Sequence, residues 1–267
     1  MILSEKKSLL INEIKKYKKT AVAFSGGVDS TLLLRICVDA LGSENVLALT
    51  ADCSAFPKRE LCEAESLCKK IGAKHINVKI NQLEIDGFVE NSLLRCYYCK
   101  KELLSRLKKT AHDSGFDTLL EGSNADDSKD FRPGEAAIVE LGVQSPLKSI
   151  GLTKAEIRAF SKELGLPTHS KPSLACLATR INYNEPVTKK KLEMTDKAEE
   201  FLLSLGLSQV RVRMHERLAR IEVLPSEMQT VLANAEYINS TLKELGYDFV
   251  SLDLGGYETG KMNINIK

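Results

Sequence analysis

The sequence contains no tryptophan, and aromatic residues make up only 6% of it. It also lacks an excess of charge, because 38 basic residues face 36 acidic ones and leave a net charge of +2. That balance argues against a nucleic-acid partner, which normally selects a basic surface. Apolar runs of about 20 residues are missing, so we expect no membrane span. The first residues do not have the layout of a signal peptide, and we expect a cytoplasmic protein.

Cysteine is the residue that is present in unusual number. An odd count of seven argues against a complete disulfide framework, and free thiols or metal ligands are the expectation for a cytoplasmic chain. We expect Cys37, Cys62 and Cys68 to be structural and leave Cys53 open. Cys96, Cys99 and Cys176 are the candidates for chemistry.

The first 170 residues alternate short apolar strands with helices of ordinary length. This order is typical of βαβ units and predicts an α/β fold, a doubly wound parallel sheet with helices on both faces. The predicted strands are 20–24, 45–51, 74–80, 117–121 and 143–147. The predicted helices are 4–18, 30–41, 57–71, about 97–113, and one that starts at the N-cap Thr153 and stops before Gly165.

The pattern changes after residue 187, where a helix is followed by strictly alternating segments and a second helix over 225–246. This order predicts a small α+β domain. We therefore expect a first domain over 1–170, a linker over 171–187 that carries Cys176, and a second domain over 188–267.

The segment "FSGGVDS" (24–30) lies between the first predicted strand and helix. It fits neither the Walker pattern nor the dinucleotide pattern of glycines. Gly26 and Gly27 permit a close approach of the backbone to an anion, and Ser25 and Ser30 add hydroxyl donors. Asp29 would repel a phosphate unless a divalent cation bridges the two, so Mg²⁺ is implied.

"SGGVDS" resembles the pyrophosphate loop (PP-loop) of the ATP pyrophosphatase superfamily, and "LLEGSNADD" (119–127) resembles that superfamily's next element. The resemblance implies that ATP is cleaved at its α-phosphorus and that the loop holds the departing pyrophosphate. The nucleotide contacts that it implies are Phe24, Ser25, Gly26, Gly27, Asp29, Ser30, Thr50, Gly122 and Asp126. Asp29 and Asp126 are the implied Mg²⁺ ligands.

"KPSLACLATRI" (171–181) is similar to the LarE family, and the likeness extends over most of the chain. It implies an ATP-dependent sulfurtransferase that adenylates a carboxylate of pyridinium-3,5-biscarboxylic acid mononucleotide and converts it to a thiocarboxylate. Cys176 would act as the sulfur-bearing residue. Arg180 and His169, if close to it, could stabilise its thiolate.

LarE relatives obtain their sulfur in two ways. One uses a sacrificial cysteine, here Cys176, and the other carries a removable sulfide on a [4Fe-4S] cluster. "RCYYC" places Cys96 and Cys99 three residues apart, and with Cys176 they make the three thiolates that leave one iron open. We favour the cluster over the sacrificial route, over a thioredoxin-like dithiol, which needs a different fold, and over zinc, which prefers four ligands.

The substrate anchors are expected in the second half of the chain. Arg211 and Arg213 share one strand face and could form a fork for a phosphate, with Glu222 on the next strand to orient them. Further candidates for substrate contacts are Thr179, Arg180 and Tyr97, whose ring could stack on a pyridinium. The resemblance also implies a homo-oligomer built from trimers, whereas the sulfide source is not indicated.

Three other functions are compatible with a pyrophosphate loop. A tRNA thiolase would need an RNA-binding module, which the charge balance does not favour. An amidating enzyme similar to NAD or GMP synthetase has no use for three clustered thiols. A nucleotide sensor without catalysis would show no acceptor-dependent release of pyrophosphate.

Overall fold

A computed structural model of the chain describes residues 2–129, 133–172, 175–258 and 261. The chain divides into two compact units, one made of Met1–Gly87 with Leu93–Leu174 and the other of Phe88–Ser92 with Ala175–Lys267. Ser173 and Leu174, which belong to the "KPSLACLATRI" segment, lie outside the described residues. None of the helices in the described ranges combines the length and apolar character needed to cross a membrane.

The described part of the first unit contains a four-stranded parallel sheet in the order β3-β2-β1-β4, with helices packed on it. The predicted α/β fold class is therefore confirmed. The strands are β1 (Thr20–Ala23), β2 (Val46–Asp52), β3 (Lys74–Lys79) and β4 (Leu119–Leu120). The helices are α1 (Leu3–Lys15), α2 (Val28–Leu41), α3 (Lys58–Ile71), α4 (Arg95–Asp113), α5 (Gly134–Glu140), α6 (Pro146–Ser149) and α7 (Lys154–Glu163).

Neighbouring strand residues enter two different apolar clusters, because side chains alternate between the faces of a sheet. Val22 and Ala48 belong to a cluster with residues of α1, α2, α3 and α7. Ala21 and Leu47 belong to another, with residues of α4 and α5. Both faces of the sheet are thus covered, which explains why its strands read as continuous apolar runs.

The strand predicted over 143–147 is wrong. Only Gln144 pairs with the sheet, through an isolated parallel bridge to Leu120. Pro146 then begins the short helix α6, where a proline is favourable because the first helical residue needs no donor. Leu147 is fully buried in the core from this helix, which accounts for the apolar pattern.

The order of the strands places a crevice at the carboxyl ends of β1 and β4. The chain runs from β1 outward to β2 and β3 and then returns to form β4 on the other side of β1. Ligands of open α/β sheets bind where the strand order reverses in this way. The loop after β1 and the loop after β4 are the two segments that meet this crevice.

The second unit contains, in its described residues, a three-stranded sheet in the order β5-β6-β7. Its elements are α8 (Lys189–Ser204), β5 (Val210–His215), β6 (Leu218–Val223), α9 (Met228–Ala233), α10 (Ala235–Glu244) and β7 (Phe249–Leu252). Strand β6 pairs antiparallel with β5 and parallel with β7. One face of this sheet forms an apolar core with α8, α9 and α10.

The single helix predicted over 225–246 is wrong, because the chain forms a 3-10 turn followed by α9 and α10. The break falls at Asn234, whose backbone has φ −108° and ψ 18°. The side-chain amide of Asn234 donates to the carbonyl of Thr230 at 2.8 Å and so satisfies a carbonyl near the end of α9. Short polar side chains compete with helical hydrogen bonds in this way.

Candidate active site

The loop that follows β1 turns sharply before α2 starts at Val28. Gly26 has φ +70°, a left-handed conformation that a residue with a side chain rarely adopts. A Cβ on Gly26 would lie 3.4 Å from the Cβ of Ala64 on α3, so the loop also packs closely. Gly27 is the N-cap of α2, which directs the helix N-terminus and its unpaired N–H groups at this loop.

Two serine hydroxyls lie at the same place. The Ser25 and Ser30 oxygens are 3.2 Å apart, and the Ser25 N–H donates to the Ser30 hydroxyl at 3.3 Å. The Ser30 hydroxyl in turn donates to the Gly27 carbonyl at 3.3 Å. Ser30 is buried while Ser25 is exposed, so Ser25 is the hydroxyl that a ligand entering from solvent meets first.

Asp29, in the first turn of α2, carries the main charge of the loop. Its Oδ2 accepts a hydrogen bond from the Lys154 ammonium at 2.5 Å. Its Oδ1 is buried and, among the described residues, has no hydrogen-bond partner. Burial raises the pKa of Asp29, the Lys154 charge opposes this shift, and the Asp127 charge adds to it. A buried carboxylate oxygen without a partner, beside a phosphate loop, fits a ligand of Mg²⁺.

The loop after β4 closes on α2 and α7. A Cβ on Gly122 would lie 3.0 Å from the Ser30 nitrogen, so a larger residue would have to displace this backbone. The Asp126 carboxylate accepts a hydrogen bond from the Lys154 backbone N–H at 2.8 Å. Lys154, the first residue of α7, therefore contacts both predicted magnesium ligands, Asp126 through its N–H and Asp29 through its ammonium.

Thr50 and Phe24, both predicted nucleotide contacts, are linked at the ends of β1 and β2. The Thr50 hydroxyl donates to the Phe24 carbonyl at 2.8 Å and lies 2.8 Å from the His75 Nε2. The Phe24 ring is buried and packs in a T-shaped arrangement with the His75 ring, with the two ring centroids 6.4 Å apart. Burial lowers the pKa of His75, which favours a neutral ring here.

A second lysine holds the pyrophosphate loop from the other side. The Lys171 ammonium donates to the Gly26 carbonyl at 3.2 Å and to the Glu60 and Glu63 carboxylates at 2.8 Å each. The Arg158 guanidinium of α7 donates to the carbonyl of Lys171 at 2.8 Å. The segment that precedes Cys176 in the sequence is thus attached to the loop and to α3.

Cys96 and Cys99 lie near the start of α4, with Cys96 exposed and Cys99 half-buried. The Gln82 side-chain amide donates to the Cys99 sulfur at 3.0 Å. The Arg95 guanidinium lies 3.9 Å from the Cys96 sulfur. Both sulfurs face hydrogen-bond donors, which is the chemistry expected around thiolate ligands of iron. Within the described ranges, however, no three Cys, His, Asp or Glu side chains come together as a metal site.

Tyr97, the predicted stacking residue, is engaged within the first unit. Its hydroxyl donates to the Glu140 carboxylate at 2.8 Å. The Lys101 ammonium lies 5.5 Å from the centre of its ring, and the Tyr98 ring meets it at a centroid distance of 5.3 Å. A ligand that stacks on Tyr97 would have to share the ring with these neighbours.

In the second unit, Cys176 directly precedes the 3-10 turn Leu177–Arg180. Arg180 is 1% exposed, and its guanidinium makes two hydrogen bonds to the Glu199 carboxylate, at 2.7 and 3.0 Å. The same guanidinium donates to the carbonyls of Ala175 at 3.1 Å and Cys176 at 3.4 Å. The Thr179 hydroxyl donates to the Cys176 carbonyl at 2.7 Å. Arg180 and Thr179 therefore fix the backbone on which the Cys176 sulfur is carried.

Arg211 and Arg213 lie on one face of β5, and both are buried, at 4% and 5% exposure. Arg213 forms an ion pair of 3.0 Å with the fully buried Glu222 on β6 and donates to the Thr179 carbonyl at 2.9 Å. The Arg211 guanidinium lies 5.2 Å from the centre of the Tyr257 ring. Burial, followed by repulsion from Arg180, lowers the pKa of Arg211 to about 10. A buried excess of guanidinium groups fits an anion site.

The comparisons with known proteins agree with this geometry. The NAD synthase family matches residues 2–93, the stretch that contains the pyrophosphate loop. The chain is 36% identical over 261 residues to the pyridinium-3,5-bisthiocarboxylic acid mononucleotide synthase of Lactiplantibacillus plantarum, covering 98% of this chain and 95% of the relative. The chain belongs to the LarE family.

Two further relatives match the chain at nearly full length. An uncharacterized protein of Synechocystis is 38% identical over 247 residues, which is 92% of each chain. An uncharacterized protein of Methanocaldococcus jannaschii is 31% identical over 263 residues, covering 97% of this chain and all of the relative. As a member of the LarE family with a pyrophosphate loop, this chain is an ATP-dependent enzyme.

Four residues that the sequence did not single out contact predicted site residues: Gln82, Lys154 and Lys171 in the first unit and Glu199 in the second. The only available signal was the position of Lys154 immediately after the helix N-cap, which places it at the end of α7 that faces a ligand. Lys171 is the first residue of the segment 171–181 that resembles the LarE family, but nothing in that segment showed that its side chain would contact the loop after β1. Gln82 and Glu199 gave no pattern, because each acts on a residue that is distant in the sequence.

Proposed function

We propose that the enzyme converts a carboxylate of pyridinium-3,5-biscarboxylic acid mononucleotide into a thiocarboxylate at the expense of ATP. The observation that carries the proposal is the position of the loop 24–30 where the strand order reverses, together with Asp29 Oδ1, which is buried and has no hydrogen-bond partner among the described residues. The name of the L. plantarum relative supplies the acceptor. Its name describes a bisthiocarboxylic acid mononucleotide, the product expected after sulfur insertion.

In the first step, a substrate carboxylate oxygen attacks the α-phosphorus of ATP, and the bond to pyrophosphate breaks. The N–H groups of Gly26 and Gly27 and the Ser25 hydroxyl bind the departing pyrophosphate. Lys154 compensates its negative charge. Magnesium, held by Asp29 and Asp126, would supply further charge compensation to the phosphates. The product is an acyl adenylate, in which AMP has replaced a poor leaving group.

In the second step, a sulfur nucleophile attacks the acyl carbon and AMP leaves with the bonding electrons. Arg180 and Thr179 hold the backbone of Cys176 for this step, while Arg211 and Arg213 bind the substrate phosphate. A [4Fe-4S] cluster held by Cys96, Cys99 and Cys176 would supply a removable sulfide. The donor groups at the sulfurs of Cys96 and Cys99 support this assignment.

The test of the proposed reaction uses enzyme reconstituted with iron and sulfide in the absence of oxygen. It is incubated with ATP, Mg²⁺ and the pyridinium dicarboxylate mononucleotide, and the products are analysed by mass spectrometry. We expect release of AMP and pyrophosphate that depends on the acceptor, and exchange of one carboxylate oxygen for sulfur. The Cys176→Ala variant should still release pyrophosphate but form no sulfur-containing product. Release of pyrophosphate by the unaltered enzyme without any sulfur product would refute sulfur transfer.

The source of the sulfur is tested separately, by purification without oxygen and measurement of iron and acid-labile sulfide. We expect a cluster with absorbance near ~400 nm, and its loss in Cys96→Ala and Cys99→Ala. An iron-free enzyme in which Cys176 loses the mass of H₂S on turnover would instead establish the sacrificial route.

A further inference from the structure

Gln82 connects Cys99 to the loop that follows β2. It begins the 3-10 turn Gln82–Glu84 between β3 and α4, and its side chain is fully buried. Its Oε1 accepts a hydrogen bond from the Ala55 N–H at 2.9 Å, and its Nε2 donates to the Cys99 sulfur at 3.0 Å. Ala55 is also fully buried, so water does not compete for this amide from that side.

The orientation of the Gln82 amide is determined by its partners. The backbone N–H of Ala55 is only a donor, so the amide oxygen must face it. The amide NH₂ must then face Cys99, whose sulfur has to accept the hydrogen bond. An NH₂ group without an acceptor would be costly at a buried position, so this arrangement holds the sulfur at one place.

The neighbouring sulfur has a similar environment. Arg95, the first residue of α4, is 3% exposed, and its Nη2 lies 3.9 Å from the Cys96 sulfur. A sulfur that binds iron is a thiolate, which accepts hydrogen bonds and donates none. Donors around such ligands orient them and adjust the reduction potential of the metal group. Of the two contacts, the one from Gln82 is the shorter, at 3.0 Å, and the orientation of its amide is fixed by the Ala55 N–H.

We infer that Gln82 is a positioning residue for the Cys99 sulfur, which it holds against the loop after β2 and supplies with an N–H···S hydrogen bond. The inference concerns the same site as the proposed function and rests on it for the role of Cys99 as a cluster ligand. The contact itself is a property of the protein without iron. The two parts are therefore tested in separate experiments.

The first experiment uses reduced, iron-free protein and the NMR signals of the Gln82 side-chain NH₂. We expect Cys99→Ala to shift these signals and to accelerate their hydrogen exchange severalfold, because the acceptor is lost. Cys62→Ala, at an exposed cysteine on α3, is the matched control and should leave them unchanged. Signals that do not respond to Cys99→Ala would overturn the inference, whatever the iron content of the protein.

The second experiment compares Gln82→Glu with the unaltered protein after anaerobic reconstitution with iron and sulfide. The ionised carboxylate keeps an acceptor for Ala55 but has no hydrogen to donate to Cys99. We expect a severalfold faster loss of iron to a chelator, because the hydrogen bond that holds Cys99 is lost. We also expect a more negative reduction potential, because the lost N–H···S hydrogen bond and the added negative charge both disfavour the reduced cluster. Gln144→Glu makes the same change at an exposed amide and should have neither effect.

The two experiments separate the possible failures. If the unaltered protein binds no iron while the Gln82 signals respond to Cys99→Ala, the cluster of the proposed function is refuted and the positioning role stands. If iron binds and both its retention and its potential are unaffected by Gln82→Glu, the positioning role is refuted and the cluster stands.

Discussion

The surroundings of Asp29 favour the binding of a cation beside its carboxylate. Burial raises the pKa of its carboxyl group, and the opposing charge of Lys154 does not cancel the effect. The ionised carboxylate is therefore less stable in the folded protein than in water. A bound cation would remove this disadvantage, since it adds the positive charge that the site lacks.

We predict that Asp29→Asn raises the unfolding temperature of the nucleotide-free protein at pH 7.5, by about 2 °C or more, while abolishing ATP cleavage. Because the folded-state pKa is raised, the penalty is present only where Asp29 is ionised. The gain should shrink as the pH falls through that pKa and vanish below the ordinary pKa of aspartate. Differential scanning fluorimetry over a pH series measures it.

The control for this prediction is Asp39→Asn on the same helix. Asp39 is exposed and its ion pair with Arg35 lies at the surface, so removal of its charge should change the unfolding temperature little at any pH. A destabilised Asp29→Asn protein at pH 7.5 would contradict the account of Asp29.

In the second unit, Arg211 is likewise a buried charged residue that favours a ligand of opposite charge. Its pKa of about 10, lowered mainly by burial, still lies far above neutrality, so the guanidinium is charged at physiological pH. Phosphate should therefore raise the unfolding temperature of the protein by binding to the folded state, an effect of ~2.7 kcal/mol at a hundredfold excess over Kd. We predict that Arg211→Gln loses most of this stabilisation. Arg217→Gln, at an exposed arginine, should keep it.

At the scale of the element, helix α7 positions Lys154 by its own N-terminus. Thr153 and Glu156 form a capping box, in which the Glu156 carboxylate accepts from the Thr153 N–H at 2.9 Å. Lys6 of α1 adds an ion pair of 2.8 Å to Glu156. Asp126 accepts from the Lys154 N–H, so the first turn is held on two sides. The Lys154 side chain is left to reach Asp29.

We predict that Lys154→Met lowers the rate of pyrophosphate release by roughly 100-fold, the usual effect of removing one group that stabilises developing charge. The fold should persist, since the caps of α7 do not involve the ammonium. Lys162→Met, at an exposed lysine of the same helix, is the control and should retain its activity. Equal rates in the two variants would show that Lys154 has no part in the reaction.

At the scale of the whole molecule, each of the two units has an apolar core of its own. Large apolar side chains nevertheless remain exposed on the second unit, among them Leu232 on α9, Tyr237 on α10 and Phe249 on β7. Single exposed apolar side chains are ordinary on a protein surface and do not by themselves mark a subunit contact. The homo-oligomer that the LarE resemblance implies therefore stays a prediction.

We predict that the protein is an assembly of trimers. Light scattering on the eluting protein should give a mass that is a multiple of three chains of 29.5 kDa. Exchange of the exposed Phe249 for Asp should reduce the mass or make it depend on concentration. A mass of one chain at all concentrations would contradict the prediction.

The features that the sequence predicted well depend on patterns of neighbouring residues. The alternation of apolar strands and helices predicted the parallel sheet, and the capping pattern at Thr153 and Glu156 predicted the start of α7. The glycines of residues 24–30 predicted a tight loop, and Gly26 has φ +70°, a conformation that glycine adopts without strain. These features depend on residues within a few positions of one another, which is why they can be recognised from the sequence alone.

Only the tertiary structure decided which side chains meet. Lys154 contacts Asp29 across 125 positions, and Gln82 contacts Cys99 across 17. The alternation of residue types around Arg211 could not show whether that face of β5 is buried or exposed to solvent. Side chains alternate with a period of two residues in both cases. Such contacts depend on how distant segments pack, and no local pattern encodes that packing.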